Sequence, residues 1–138
     1  MSLAGIQSAI VTRYQSGSFG LTTFYPGKEY DPTADTAHAR LWFIPSANDP
    51  SSMGGTGLDK ISGVAQIDLM YPEGKGIGDA LEKADSVASH FQRGRSQVYS
   101  GTTVVFNGAT VLQPRNEGGW LKVPVSIGWY SHQARSVT

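Results

Sequence analysis

The chain of 138 residues contains no cysteine. A disulfide framework, a thiolate nucleophile and a cysteine-based zinc cluster are therefore all excluded. Long apolar runs are also missing, since no segment approaches the roughly 20 residues that a membrane-spanning helix needs. The first six residues, MSLAGI, carry no basic charge of the kind that opens a secretory leader. We expect a soluble, non-secreted protein that folds by burying an apolar core.

The sequence has no excess of either charge. Eleven Lys and Arg residues balance eleven Asp and Glu residues, so the formal net charge is zero. A protein whose main task is to hold phosphates needs a basic surplus, and this balance argues against nucleic-acid recognition. The length suits one domain, which buries about two-thirds of its unfolded surface.

The strongest local pattern is a strand, a glycine-rich turn and a helix. Apolar and polar side chains alternate over residues 61–71, which predicts a long half-buried strand that ends at Pro72. The glycines that follow tolerate positive φ, and apolar residues then recur at helical spacing as far as Phe91. We predict a structural turn formed by Gly74, Gly76 and Gly78. The expected apolar positions of the helix are Ile77, Leu81, Ala84, Val87, Ala88 and Phe91.

The glycine turn also imitates a phosphate-binding loop. A glycine-rich turn before a helix presents backbone N–H groups and the positive end of the helix dipole, which together attract anions. Its spacing is GxGxG and not GxGxxG, and no hydroxyl residue follows Lys75 in the manner of a GK[ST] ending. Pro72 and Glu73 add a rigid ring and a negative charge where a phosphate would approach. The pattern favours a structural turn.

The rest of the N-terminal half predicts one helix and two short strands. Leu3, Ile6, Ile10 and Tyr14 indicate an amphipathic helix that ends near residue 17. Residues 21–25 and 40–44 are expected to form strands. Long polar loops are expected at residues 26–39 and 46–60, and loops of that length are often functional.

The last third of the chain predicts further strands. A short strand is expected at residues 98–100, and Asn107-Gly108 predicts a two-residue hairpin between residues 102–106 and 109–112. Alternation over residues 121–130 predicts a second long strand, which should be an edge or carry a bulge at Pro124. Residues 131–138 are expected to form a polar tail.

No catalytic, cofactor-binding or metal-binding residue is predicted. The histidines lack metal or general-base spacing, and we expect each at the surface: His38, His90 and His132. Carboxylates lie near the glycine turn without a nucleophile beside them in the sequence: Asp68, Glu73 and Asp79. The tryptophans fall in strand patterns, where we expect them in the core: Trp42, Trp120 and Trp129.

The ordered combination of these motifs resembles a known family. The run GVAQIDLMYPEGKGIG at residues 63–78 is followed by Ala84-Asp85, by His90-Phe91 and by Gly94. This looks like the G-x-x-Q-[IV]-D-[VL]-x-x-P-x-G-x-G, A-D and F-x-x-G pattern of a phage-related family. That family is similar to the tail terminators of long-tailed bacteriophages, the minor tail protein U class. The resemblance extends from Pro26 to Trp129 and so covers nearly the whole chain.

The resemblance implies a structural virion protein and not an enzyme. It implies an α+β fold, a mostly antiparallel or mixed sheet flanked by two helices, in a single domain over residues 1–138. Such a protein would be assembled in the host cytoplasm into the virion tail, as a homohexameric ring on the finished tail tube. There it would stop tube polymerisation and form the head-joining surface. The implied partners are other copies of the chain, the tail tube protein and a head connector or completion protein, with no cofactor, membrane or nucleic-acid sequence.

A heterologous ring needs unlike patches that meet, and long loops are natural places for them. We therefore predict contacts with neighbouring subunits or the tube at Asn48, Asp49, Met53 and Lys75. Two alternatives stay open: a head–tail connector or tail-completion component, and a small phosphate-binding enzyme that uses the glycine turn.

Overall fold

The computed structural model describes residues 3–50, 58–74 and 77–134. In this part of the chain two helices and seven strands form one α+β domain, as predicted. The helices are α1 (Leu3–Ser16) and α2 (Gly78–His90). The strands are β1 (Thr22–Phe24), β2 (His38–Pro50), β3 (Leu58–Pro72), β4 (Ser96–Tyr99), β5 (Thr102–Val111), β6 (Arg115–Glu117) and β7 (Trp120–Ala134).

The seven strands make one curled mixed sheet. Its order is β1-β2-β3-β7-β5-β4, and β6 pairs with the start of β7. The β1–β2 pair is parallel and the other pairs are antiparallel. The β3–β7 pair runs from Leu58 opposite Ala134 to Pro72 opposite Trp120, so β3 is paired along its whole length. The long strand expected at residues 61–71 is therefore the centre of the sheet.

The two faces of β3 have different surroundings. Side chains at odd-numbered positions from Ile61 to Leu69 join the apolar core under the helices. From α1 the core receives Ile6, Ile10 and Tyr14, as the helical spacing predicted, together with Ala9, whereas Leu3 is 39% exposed. The buried positions of α2 and the residue that follows it are Ala80, Ala84, Val87 and Phe91. Three positions of the predicted stripe differ, because Ile77 is 41% exposed, and Leu81 and Ala88 are only partly buried at the core edge.

Polar contacts hold the two helices together. The Arg13 guanidinium donates from Nε and Nη2 to the His90 carbonyl oxygen, at 3.0 and 2.7 Å. That oxygen lies at the C-terminus of α2, where a cation is favoured by the helix dipole. The His90 ring nitrogen Nε2 lies 2.7 Å from the Arg13 carbonyl oxygen and 2.9 Å from Ser16 Oγ. Each helix end thus supplies polar partners for the other.

The predicted Asn107-Gly108 hairpin is wrong. β5 runs without a turn through both residues, and its register against β7 shifts between Phe106 and Gly108, where Gly108 has a φ of 133°. The positive φ that favours a turn here serves a β-bulge instead. Tight two-residue turns occur elsewhere, at Ser100-Gly101 and Gly118-Gly119, all with positive φ.

The second long loop and the polar tail are also shorter than predicted. β2 extends to Pro50 and β3 begins at Leu58, so most of residues 46–60 is strand. β7 continues to Ala134, because β3 offers it a partner as far as Leu58. Pairing along a long neighbour overrides the polar composition of these segments.

Pro124 lies inside the sheet, opposite Asp68 of β3. On its other side, β7 passes from the partner β5 to the partner β6, and Leu112 N–H donates to the Pro124 carbonyl at 2.8 Å. Pro124, which has no N–H to donate, therefore lies between the part of β7 that pairs with β5 and the part that pairs with β6. The expected local edge is present on that one side.

Replacement of Phe91 by alanine should destabilise the domain strongly. The Phe91 side chain is fully buried and meets the Phe106 ring edge-on at 5.0 Å between centroids. Such a truncation costs about 3–5 kcal/mol, comparable with the whole stability of a small domain. Chemical denaturation will measure the loss, and a midpoint within experimental error of the parent would contradict the packing described above.

Replacement of Gly63 by alanine should also destabilise the sheet. A Cβ at Gly63 would lie 2.3 Å from the Ile44 carbonyl oxygen and 2.7 Å from Cζ2 of the buried Trp129 ring. Overpacking of this kind costs about 1–3 kcal/mol. Gly78→Ala is the matched control, because a Cβ there meets nothing within 4 Å and alanine suits a helix. Thermal melts should separate the two variants, and equal melting temperatures would refute the close approach.

Candidate functional site

The sheet face away from the helices carries a cluster of polar and aromatic side chains. Opposite β3, Arg40 pairs with Asp68 and His38 pairs with Met70, while Lys122 of β7 pairs with Met70 from the other side. Residues that pair directly share a face, so alternation brings these side chains together. We call this surface the helix-free face. The side chains that define it are Arg40, Trp42, Gln66, Asp68, Met70 and Lys122.

Asp68 is the buried anion of the helix-free face, with 3% of its surface exposed. Its Oδ2 accepts from Trp42 Nε1 at 2.7 Å, and its Oδ1 accepts from Gln66 Nε2 at 2.8 Å. Lys122 Nζ lies 3.6 Å from Asp68 Oδ2 and 3.2 Å from Glu117 Oε2. A buried carboxylate is tolerable only when its oxygens are satisfied, and these donors satisfy it. Asp68 therefore orients the Trp42 indole and does not serve as a free base.

The Arg40 guanidinium lies over two aromatic rings. Its guanidinium carbon lies 4.3 Å from the centre of the Tyr30 ring and 4.2 Å from the Trp42 ring. Both distances suit cation–π stacking, which restrains the plane of the guanidinium. Among the described residues, none accepts a hydrogen bond from this guanidinium or forms an ion pair with it. Within the described part of the chain, the N–H edge of Arg40 is thus open to an acceptor.

A buried histidine supports the edge of the cluster. His38 is 2% exposed, contrary to the expected surface position, because it begins β2 beneath the loop that carries Tyr30. Its Nδ1 lies 3.1 Å from the Thr36 carbonyl oxygen, and its Nε2 lies 2.7 Å from the Tyr30 hydroxyl. The neutral tautomer with the proton on Nδ1 satisfies both contacts, with Tyr30 as donor to Nε2. The Trp120 ring packs edge-on against the imidazole at 4.6 Å between centroids.

Burial shifts the pKa values of two of these groups. Desolvation lowers the pKa of His38 below its usual 6.5, and the hydrogen bond to the Thr36 carbonyl opposes this only in part. Desolvation also raises the pKa of Tyr30 above 10.0, which keeps its hydroxyl protonated as the donor to His38. The cluster is therefore built for a neutral imidazole at physiological pH.

A cavity of about 280 Å³ opens between these side chains. It contains two cations and two carboxylates on aromatic and thioether walls, without an activated nucleophile. Among the described residues there is also no group of three or more His, Asp or Glu side chains placed to hold a metal ion. The arrangement suits binding of a singly charged anionic group on an apolar stem. The lining residues are Tyr30, Arg40, Trp42, Asp68, Met70, Glu117, Trp120 and Lys122.

The structure describes only part of the predicted glycine turn. Gly74 has a φ of 86°, a conformation that suits glycine. Gly78 is the first residue of α2 and its φ is not positive, so backbone strain does not require glycine there. Gly76 and Lys75 lie outside the described residues.

Of the four predicted contact residues, the structure describes the backbone of Asn48 and Asp49. Asn48 and Asp49 lie in β2, opposite Ile61 and Lys60, and not in a loop. Met53 lies outside the described residues. Their role in contacts stays a prediction.

Sequence reasoning misplaced two of the three tryptophans. Trp129 is fully buried as expected, stacked on Phe43 at 5.4 Å. Trp42 is 39% exposed and Trp120 is partly exposed, because both point to the helix-free face. The signal was present in β2, where Leu41 and Phe43 alternate with Arg40 and Trp42. A strict period of two would have placed Trp42 beside Arg40 and away from the core.

A family model described as phage tail terminator protein matches residues 5–129. The chain belongs to this family. It is therefore a structural protein of the phage tail, a class that is not enzymatic. No curated protein matches the sequence. In the described part of this tail protein, no helix is long and apolar enough to cross a membrane.

Solved structures share the fold of this tail protein. One, of a protein designated only by a sequence identifier, has 22% identity and a TM-score of 0.76, with 99% of each chain covered. Another belongs to the virion of a native gene transfer agent particle, with 14% identity and a TM-score of 0.62. That match covers 94% of this chain and 96% of the other.

The buried imidazole should make folding stability depend on pH. Between the lowered folded pKa of His38 and its unfolded value near 6.5, the unfolded chain binds a proton that the folded chain does not. Stability from this group is full above about pH 6.5 and falls as the pH drops. Urea denaturation between about pH 7 and pH 5 should show that the free energy of unfolding falls more steeply with decreasing pH for the parent than for His38→Gln. Parallel curves for the two proteins would contradict the neutral buried imidazole.

Proposed function

We propose that this tail protein closes into a hexameric ring on the finished end of the tail tube. The ring stops addition of further tube protein and offers the surface to which a head connector or completion protein joins. This gives the protein a stoichiometric role in the virion tail, after assembly in the host cytoplasm. Its partners are other copies of itself, the tube protein and the head connector.

The observation that carries this proposal is the extent of the family match. Residues 5–129 include α2, all but the first two residues of α1, and every strand up to Trp129 of β7. The terminator pattern therefore spans the folded domain and not one motif within it. The likeness to a chain from a gene transfer agent virion adds that this fold occurs in an assembled particle.

The shape of the domain supports a ring physically. A ring of identical chains needs two unlike patches on each chain, which meet head to tail and close by rotation. The sheet provides unlike faces, one covered by helices and one bearing the Arg40 cavity. We propose further contacts to neighbouring subunits or the tube from Asn48, Asp49, Met53 and Lys75, of which the first two lie at the end of β2.

Loss of the gene should produce overlong tails that fail to join heads. Tube growth then has no stop, and the joining surface is missing. Electron microscopy of lysates will measure tail length and the fraction of tails that carry heads. A plasmid copy of the parent or of Gly78→Ala should restore both measures, whereas Phe91→Ala should restore neither.

Two outcomes would contradict the proposal. Tails of normal length that merely lack heads would indicate a head–tail connector or tail-completion component instead. Normal tails and normal head joining, with the protein absent from purified particles, would remove any role in the tail end.

A further inference from the structure

The Arg40 guanidinium is a charged donor prepared for a partner. The rings of Tyr30 and Trp42 both lie at cation–π distance from it, and no acceptor among the described residues occupies its N–H edge. A guanidinium fork held in this way matches the two oxygens of a carboxylate. Since stacking has already restricted the side chain, little conformational entropy is lost when such an acceptor binds.

The charge around Arg40 favours a carboxylate over a phosphate dianion. Asp68 and Glu117 line the same cavity as Arg40 and Lys122, so the cavity already holds equal numbers of positive and negative groups. A second negative charge on the ligand would meet these carboxylates. Trp42 is exposed. Tryptophan and arginine are among the residue types that contribute most of the binding energy at protein interfaces.

Charge beyond the cavity differs between the two sides of the domain. Among strand residues whose side chains the structure describes, four cations oppose two carboxylates on the helix-free face, which gives a net charge of plus two: Arg40, Lys60, Arg115 and Lys122 against Asp68 and Glu117. On the opposite side, α2 carries three exposed carboxylates and one lysine, a net charge of minus two: Asp79, Glu82 and Asp85 against Lys83. Lys83 donates to the Phe19 carbonyl oxygen at 2.6 Å. The outer side of α2 is therefore the electrostatic complement of the helix-free face.

We propose that the cavity around Arg40 receives a carboxylate from α2 of a second copy of this chain. Glu82 lies at the centre of the acidic stripe and has the longest of its acidic side chains. The contact is heterologous, since the front of one subunit meets the back of the next, and it rests on the ring proposed above. It names the pair of faces that would close that ring.

Crosslinking within phage tails tests the contact directly. The chain has no cysteine, so introduced thiols are its only ones. Ile44→Cys lies on the helix-free face two residues from Trp42, and Ser86→Cys lies one helical turn from Glu82, both at exposed positions. Tails that carry both substitutions should give, with a short bismaleimide, a ladder of multimers of this chain. Each single-cysteine variant should give no ladder, because the two faces are unlike.

The crosslinking outcomes separate this contact from the capping function. Tails of normal length with joined heads but without a ladder would overturn the contact and leave capping intact. Crosslinks only to a protein of a different mass would assign the cavity to another tail component and overturn it too. Loss of capping is read independently, from the tail length of the deletion phage.

A charge exchange tests the named pair. Arg40→Glu and Glu82→Arg should each reduce incorporation of the folded protein into tails by about ten-fold or more, because like charges then face each other. The double variant should recover most of the loss. Lys28→Glu is the control, since it makes the same charge change on an exposed loop outside the cavity. Full incorporation of Arg40→Glu, or no recovery in the double variant while circular dichroism shows all variants folded, would overturn the pairing.

Discussion

The register of β3 between β2 and β7 determines both faces of the molecule. β3 is paired from Leu58 to Pro72 with β7, and over most of that length with β2. Because side chains alternate, a slip of one residue would move Ile67 and Leu69 to solvent and Asp68 into the helix core. A buried, unpaired carboxylate among apolar groups is costly, so the slipped register is disfavoured on both faces at once. Core and cavity are specified by the same hydrogen-bond ladder.

The two sides of the sheet depend on different interactions. Under the helices, stability comes from apolar burial around Phe91 and Trp129, with the Arg13 contact to the end of α2 holding the helices together. On the helix-free face, Asp68 is buried among donors, and its network positions Trp42 beside Arg40. A satisfied polar network of this kind contributes geometric specificity more than stability. The face that is poorer in apolar packing is thus still ordered enough to present a guanidinium in a defined plane.

Sequence reasoning succeeded where local pattern and tertiary pairing agree. Alternation over residues 61–71 located the central strand, and helical spacing located both helices. It failed at Asn107-Gly108, where the sequence signal for positive φ is shared by turns and bulges and only the partner strand decides between them. The cavity was missed because Trp42, Asp68 and Lys122 come from three separate strands. Their shared face is created by long-range register, which no local window contains.

The edges of the sheet limit how copies of this domain can associate. β1 and β4 have only three and four residues, and β1 pairs with β2 only from His38 to Arg40, so the described pairing leaves the outer side of β2 beyond Arg40 without a strand partner. β1 and β4 themselves are therefore weak sites for extension of the sheet from copy to copy, even though Val98 and Tyr99 are exposed on β4. The two broad faces differ in charge, and one is covered by helices while the other bears the Arg40 cavity. Contacts between unlike faces close by rotation when the angle between neighbours fits a whole turn, and a closed ring leaves no free face of this kind for further copies. A protein whose proposed role is to end a polymer thus carries different directional features on its two broad faces.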